Sequence, residues 1–92
     1  MNNDISNCLD NNLDLHGMHP DIALTRLDDF LYRAETSMFK SVKIIHGRGA
    51  GRLREMVHSF LDSHILVESY ADSDIPGEFL AVTVVKIRFV NV

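Results

Sequence analysis

The sequence predicts an α/β (α+β) fold: a two-layer sandwich of order β-α-β-α-β-β, with a mixed four-stranded sheet and both helices on one face. Three observations predict it. Two segments carry apolar residues at helical spacing, short runs rich in Val, Ile and Leu flank them, and a Pro76-Gly77 turn precedes a last β-rich stretch. Each strand-helix-strand unit is too long for a hairpin, so the first three strands should be parallel. Right-handed crossovers put both helices on one side if the sheet grows in one direction. The last strand follows a short turn and should run antiparallel beside the third.

The elements follow in order. Residues 1–12 hold five asparagines and little apolar content, which reads as a mobile leader or linker remnant, leaving 13–92 as the domain. Leu13 to His16 is a short strand, with Leu13 and Leu15 toward the core and Asp14 and His16 away from it. Gly17 to Pro20 turns, and Pro20 suits the first position of a helix. Ala23, Leu24, Leu27, Phe30, Leu31, Ala34 and Met38 recur at steps of three and four, while Asp28, Asp29, Arg33 and Glu35 largely fill the opposite face. Asp21 favours the positive end of that helix. Ser41 to His46 is the second strand. From Gly51 to about His64 a second helix carries Leu53, Met56, Val57, Phe60 and Leu61 on one stripe. Ile65 to Tyr70 is the third strand, Asp72 to Glu78 the turn, and Phe79 to Val90 closes the sheet.

At 92 residues the chain has room for one small core, burying roughly 60–65% of its unfolded surface. The one cysteine, Cys8, allows no disulfide within the chain. No apolar run reaches the ~18–20 residues that span a bilayer, and the N-terminus lacks a basic, apolar signal segment. A soluble cytoplasmic protein with no membrane partner is expected, monomeric as an isolated domain. Net charge is −4, yet five of the nine Lys and Arg residues (Lys40, Lys43, Arg48, Arg52, Arg54) fall between positions 40 and 54 with no acidic residue among them. A local basic cluster matters more to nucleic-acid affinity than the total, although single members can equally be solvated surface charges.

That cluster surrounds the second of two histidine motifs. The first is Leu13-Asp14-Leu15-His16-Gly17. The second is Ile44-Ile45-His46-Gly47-Arg48-Gly49, followed by Ala50-Gly51-Arg52-Leu53-Arg54. Both fall where a parallel strand hands over to a helix, the edge at which ligands gather in open sheets. Gly47, Gly49 and Gly51 let the backbone approach an anion at the start of the second helix, whose free N–H groups and dipole face the same spot. Arg48, Arg52 and Arg54 add forked donors suited to phosphate, and Lys43 adds charge. No Gly-Lys-Ser or Gly-Lys-Thr makes this a Walker loop, and no acidic residue ends the next strand as a dinucleotide fingerprint requires.

Two imidazoles beside a phosphate suit phosphodiester cleavage, which needs a base, an acid and donors for the developing charge. The catalytic candidates are His16, His46 and Asp14, the last to orient the His16 ring or to help hold a metal. Neighbouring strand tips about 5 Å apart can bring the two rings to one group, although strict alternation sets His46 on the helix side and His16 on the bare side. RNA supplies its own 2′-hydroxyl and needs no metal; with DNA, water attacks, and a divalent ion such as Mg²⁺ is then favoured. No cofactor is firmly implied. Asp14, His16 and His19 lack a completing Cys or His-Glu motif, so no protein-bound metal is assigned. His19, His58 and His64 read as surface or helix residues.

At these motifs the chain resembles the Smr (small MutS-related) domain family. That family pairs a Leu-Asp-Leu-His-Gly motif with a His-Gly-x-Gly motif, usually followed by Thr-Gly and a Leu-Arg helix start. The resemblance covers about residues 13 to 87. It implies a fold similar to the C-terminal domain of translation initiation factor three, and nicking of DNA or cleavage of RNA. It further implies functional roles for Asp14, His16, His46, Gly47, Arg48 and Gly49. Family members occur alone, at the end of MutS-like ATPases, and in proteins acting on stalled or collided ribosomes, so DNA repair or recombination and ribosome quality control are the implied settings. A companion ATPase domain or the ribosome is the implied partner beside nucleic acid. Ala50 stands where the family has Thr, the glycine-rich stretch before the last strand is reduced to Pro76-Gly77-Glu78, and the last strand runs on through Lys86 and Arg88. Two readings remain at this level: an endonuclease, or a module that grips DNA, RNA or a ribosomal surface without cutting. A pure interaction domain is a third.

Overall fold

A computed structural model describes residues 11–49 and 51–90. The leader up to residue 10, with Cys8, lies outside the described residues, as do Ala50, Asn91 and Val92. Six elements follow the expected order: β1 (Asn12–Asp14), α1 (Pro20–Thr36), β2 (Ser41–Ile45), α2 (Arg52–Asp62), β3 (Val67–Asp72) and β4 (Val82–Ile87).

The sheet order is β1-β2-β4-β3. β1 and β2 pair in parallel, and β4 runs antiparallel to both β2 and β3. The first three strands therefore share one direction, and β4 lies beside β3 as expected. The sheet does not grow in one direction, however, because β4 inserts between β2 and β3. Hydrophobicity explains the choice. Val82-Thr83-Val84-Val85 is a near-continuous β-branched run suited to a central strand, whereas β3 carries Glu68, Ser69 and Asp72 and suits an edge. A register shift between Val67 and Ser69 marks a bulge on that edge.

One cluster forms the core. Ala23, Leu27, Phe30, Leu31 and Ala34 of α1 and Val57 and Leu61 of α2 meet Val42, Ile44, Val85 and Ile87 of the sheet. Both helices thus cover one face, and each large buried side chain contributes about 1.5–3 kcal/mol. Helix α1 starts at Pro20 with His19 as its N-cap, whose Nδ1 accepts from the Asp21 N–H. It ends earlier than the apolar spacing suggests. Met38 is not on the core face: it lies past the helix at φ +65° and is 65% exposed. The N–H of Phe39 bonds to Ala34 O and that of Met38 to Glu35 O, which is a Schellman ending with Met in the position that Gly usually takes.

Several strand boundaries move. β3 begins at Val67, with Ile65 and Leu66 in the preceding turn, and extends to Asp72. β4 begins at Val82, since Ala81 and Val82 donate back to Glu78 O and close a turn. β1 takes in Asn12 and stops at Asp14, while the Leu15 N–H still bonds to Ile45 O. Among the described residues no helix is long and apolar enough to cross a membrane.

Candidate functional site

The carboxyl ends of β1, β2 and β3 open on one edge, where β4 and both helices begin. His16 and His46 follow the tips of β1 and β2, and Gly47 lies against His16: a Cβ added to Gly47 would sit 3.2 Å from the His16 Cβ. Gly47 is at φ +81°, so its backbone needs a residue without a side chain there.

The two rings meet different surroundings, and the expected convergence on a common group is corrected. His16 is exposed. Its Nδ1 lies 2.6 Å from Asp14 Oδ1, whose carboxylate also accepts the His16 backbone N–H at 3.1 Å. A carboxylate only accepts, so Nδ1 carries the proton and Nε2 is left facing solvent. The His16 hydrogen bonds hold the Asp14 carboxyl below its ordinary value.

His46 is 4% exposed. It keeps the parity of Val42 and Ile44 and faces the helices. Its Nδ1 lies 3.0 Å from Gly47 O and its Nε2 2.8 Å from Thr83 Oγ1. The carbonyl fixes the tautomer: Nδ1–H donates to Gly47, and Nε2 accepts from the Thr83 hydroxyl. That hydroxyl, fully buried, in turn accepts from His58 Nε2–H at 2.7 Å. The chain runs His58 to Thr83 to His46 to Gly47 O, each donor matched to one acceptor. Burial, with Arg54 nearby, pushes both His46 and His58 below the ordinary imidazole value. The sequence alone reads His58 as a surface or helix residue, whereas the fold half-buries it against Thr83. Its place one residue from Val57 on the buried stripe is the local signal, but its partner Thr83 is 25 residues away.

The basic residues divide. Arg54 donates to Asp72 through Nε at 3.1 Å and through a terminal nitrogen at 2.7 Å, tying α2 to β3. This pairing raises Arg54 and lowers Asp72. Arg48 donates to Gly77 O at 3.1 Å and to Phe79 O at 3.3 Å. Lys43 stands apart on the uncovered sheet face, 3.0 Å from Glu78 Oε1. Arg52 is exposed on the first turn of α2.

Between these groups lies a cleft of about 300 Å³, lined by Gly17, Met18, His46, Gly47, Arg48, Gly49, Gly51, Arg52 and Arg54, among others. Gly51, at φ +83°, is the N-cap of α2 and contributes no side-chain hydrogen bond. The helix ladder begins with Glu55 N–H to Gly51 O, and the first-turn N–H groups of an α-helix have no partner within the helix, which suits an anion at this end. Among the described residues no three His, Cys, Asp or Glu side chains gather as a metal-ligand set.

Comparison with known proteins agrees with this architecture. The Smr domain family model matches residues 13–88. The chain is similar to endonuclease MutS2 of Thermomicrobium roseum, 40% identical over 74 residues that make up 80% of this chain and 9% of that protein. It thus spans about a tenth of the length of the curated relatives it matches. Its fold matches the crystal structure of the Smr domain of Thermus thermophilus MutS2 with a TM-score of 0.79 at 36% identity, covering 84% of this chain and 96% of that one. It also matches the solution structure of the B3BP Smr domain with a TM-score of 0.70 at 27% identity, covering 92% of this chain and 85% of that one. With two helices on one face of a mixed sheet, and both histidine motifs at the strand tips, this chain belongs to the Smr domain family.

Proposed function

We propose that this domain cleaves phosphodiester bonds in nucleic acid, with His16 as the proton-transferring group and Asp14 as the residue that orients it. The observation carrying this reading is the 2.6 Å contact between Asp14 Oδ1 and His16 Nδ1 at an exposed strand tip. It fixes the tautomer and leaves Nε2 free to take a proton from the attacking hydroxyl or water. The oxygen then bonds to phosphorus, the bond to the leaving oxygen breaks, and that oxygen takes up a proton from the protonated His16 or from solvent. The amino end of α2 and the Arg52 guanidinium stabilise the charge on the phosphate. Gly47 packs against His16 and also lines the cleft, which supports placing the phosphate beside His16.

His46 has a different part in this reading. Both of its nitrogens are occupied within the protein, so it acts as a positioning residue that holds Gly47 and the loop after it. Lys43 and Arg54 serve the same scaffold through Glu78 and Asp72. The relatives' name, endonuclease MutS2, supports the reaction class. Because the match is a small part of those proteins, a companion domain is proposed as the partner that brings this site to its target.

The test uses supercoiled plasmid and single-stranded RNA, each with magnesium and with EDTA. The wild type should turn over at least one substrate. His16→Ala should reduce the rate by about 10²-fold or more while binding persists, and Asp14→Asn should reduce it less. Binding without turnover in every condition identifies a gripping module and overturns the cleavage reading.

A further inference from the structure

The anion cleft continues past the glycine loop. A second hollow of about 370 Å³ is lined by Arg48, Gly49, Gly51, Arg54 and Leu80, so four of its five walls are shared with the first. Beyond Leu80 the loop between β3 and β4 displays apolar side chains to solvent: Phe79 is 57% exposed, Leu80 41% and Ile75 45%.

This loop is held firmly. Arg48 grips the carbonyls of Gly77 and Phe79. Glu78 receives Lys43 and the Ser73 hydroxyl, the latter at 2.6 Å. The N–H groups of His46 and Gly47 both reach Ala81 O at 3.0 Å. Leu80 is kept at φ +65°, which for a leucine costs about 1–2 kcal/mol and persists only when its surroundings impose it. The result is a held backbone that carries an exposed Phe79 next to Leu80, and Leu80 lines the hollow together with Arg48 and Arg54.

We propose that Phe79, backed by Leu80, is a stacking platform for an unpaired nucleobase, so that the site takes single-stranded nucleic acid in preference to duplex. This rests on the phosphate cleft of the proposed function. Phosphates track past Arg52 and the α2 amino end, and the neighbouring base turns outward onto the ring. A base inside a duplex is already stacked and cannot reach it. Stacking on an exposed aromatic tolerates any base because each has a π-face, so the preference is for strandedness and not for sequence.

The chain has no tryptophan, which gives a clean test. In Phe79→Trp the single indole should be quenched on adding a short mixed-sequence single strand, of either DNA or RNA, and not by the matching duplex. In Phe79→Ala, single-strand affinity measured by anisotropy should fall about tenfold, with duplex binding and melting temperature unchanged. An indole emission indifferent to both strands, or equal losses on single strand and duplex, overturns the proposal; the first of these results is what a protein-docking loop gives. Since both readouts are of binding, they stand whether or not the domain cuts, and a failure of the cleavage reading shows separately as absent turnover.

Discussion

His16 and His46 occupy equivalent places in two similar motifs, and burial makes them different residues. One is exposed on an aspartate, the other sealed between a carbonyl and a threonine hydroxyl. The Thr83 hydroxyl joins two rings in a buried place, so Thr83→Val should cost about 1–3 kcal/mol in urea unfolding, since two polar ring nitrogens lose their partner. Thr83→Ser should retain most of the stability. The same rings set a pH dependence. Both His46 and His58 lie below the ordinary value of 6.5 when folded, so the folded state binds fewer protons than the unfolded one. Their contribution is complete above about pH 6.5 and is lost as pH falls through that value toward the folded pKa values. The melting temperature should decline over that window, and His58→Gln should flatten the decline. A flat profile in the wild type contradicts the neutral chain. The sequence made the two histidine motifs legible, and strand alternation already put His46 on the helix side. Thr83 and His58 were not legible as its neighbours, because only the insertion of β4 beside β2 brings them there.

At the scale of elements, the amino end of α2 is the part that most depends on its neighbours. It has a glycine for an N-cap, and its anchor is the fork of Arg54 on Asp72 of β3. A double-mutant cycle with Arg54→Ala and Asp72→Ala should give a coupling of about 1–2 kcal/mol, since the pair is two charge-assisted bonds in a half-buried place. At the strand tip, Gly47→Ala should destabilise by about 1–3 kcal/mol and disturb His16, whose Cβ a new methyl group would press. Element existence was legible from periodicity, and Pro20 marked one boundary well. The ends that moved are those closed by backbone geometry, as at Met38 and Ala81, where no Gly or Pro announces the turn.

For the whole molecule, the basic window between residues 40 and 54 looked like a phosphate-binding surface. Folding uses much of it internally: Lys43 on Glu78, Arg48 on two carbonyls, Arg54 on Asp72. With a net charge of −4, binding to nucleic acid should depend weakly on salt, with a log–log slope of about −1 to −2. Arg52→Ala should remove about one unit of that slope. A steep slope in the wild type would mean that the internal pairs open on binding. Charge clustering is visible in a sequence, but the acidic partners lie 18 and 35 residues further along the chain, so their neutralising effect is not.

The central claim is a division of labour, with chemistry at His16 and scaffolding at His46. The most direct measurement is the single-turnover cleavage rate of His16→Ala and His46→Gln alongside their melting temperatures. The account predicts that His16→Ala loses the chemical step by about 10²-fold or more with its melting temperature intact, while His46→Gln melts earlier and, where still folded, retains turnover. A His16→Ala protein that cuts at the wild-type rate, or a stable His46→Gln protein that has lost all turnover, would contradict it.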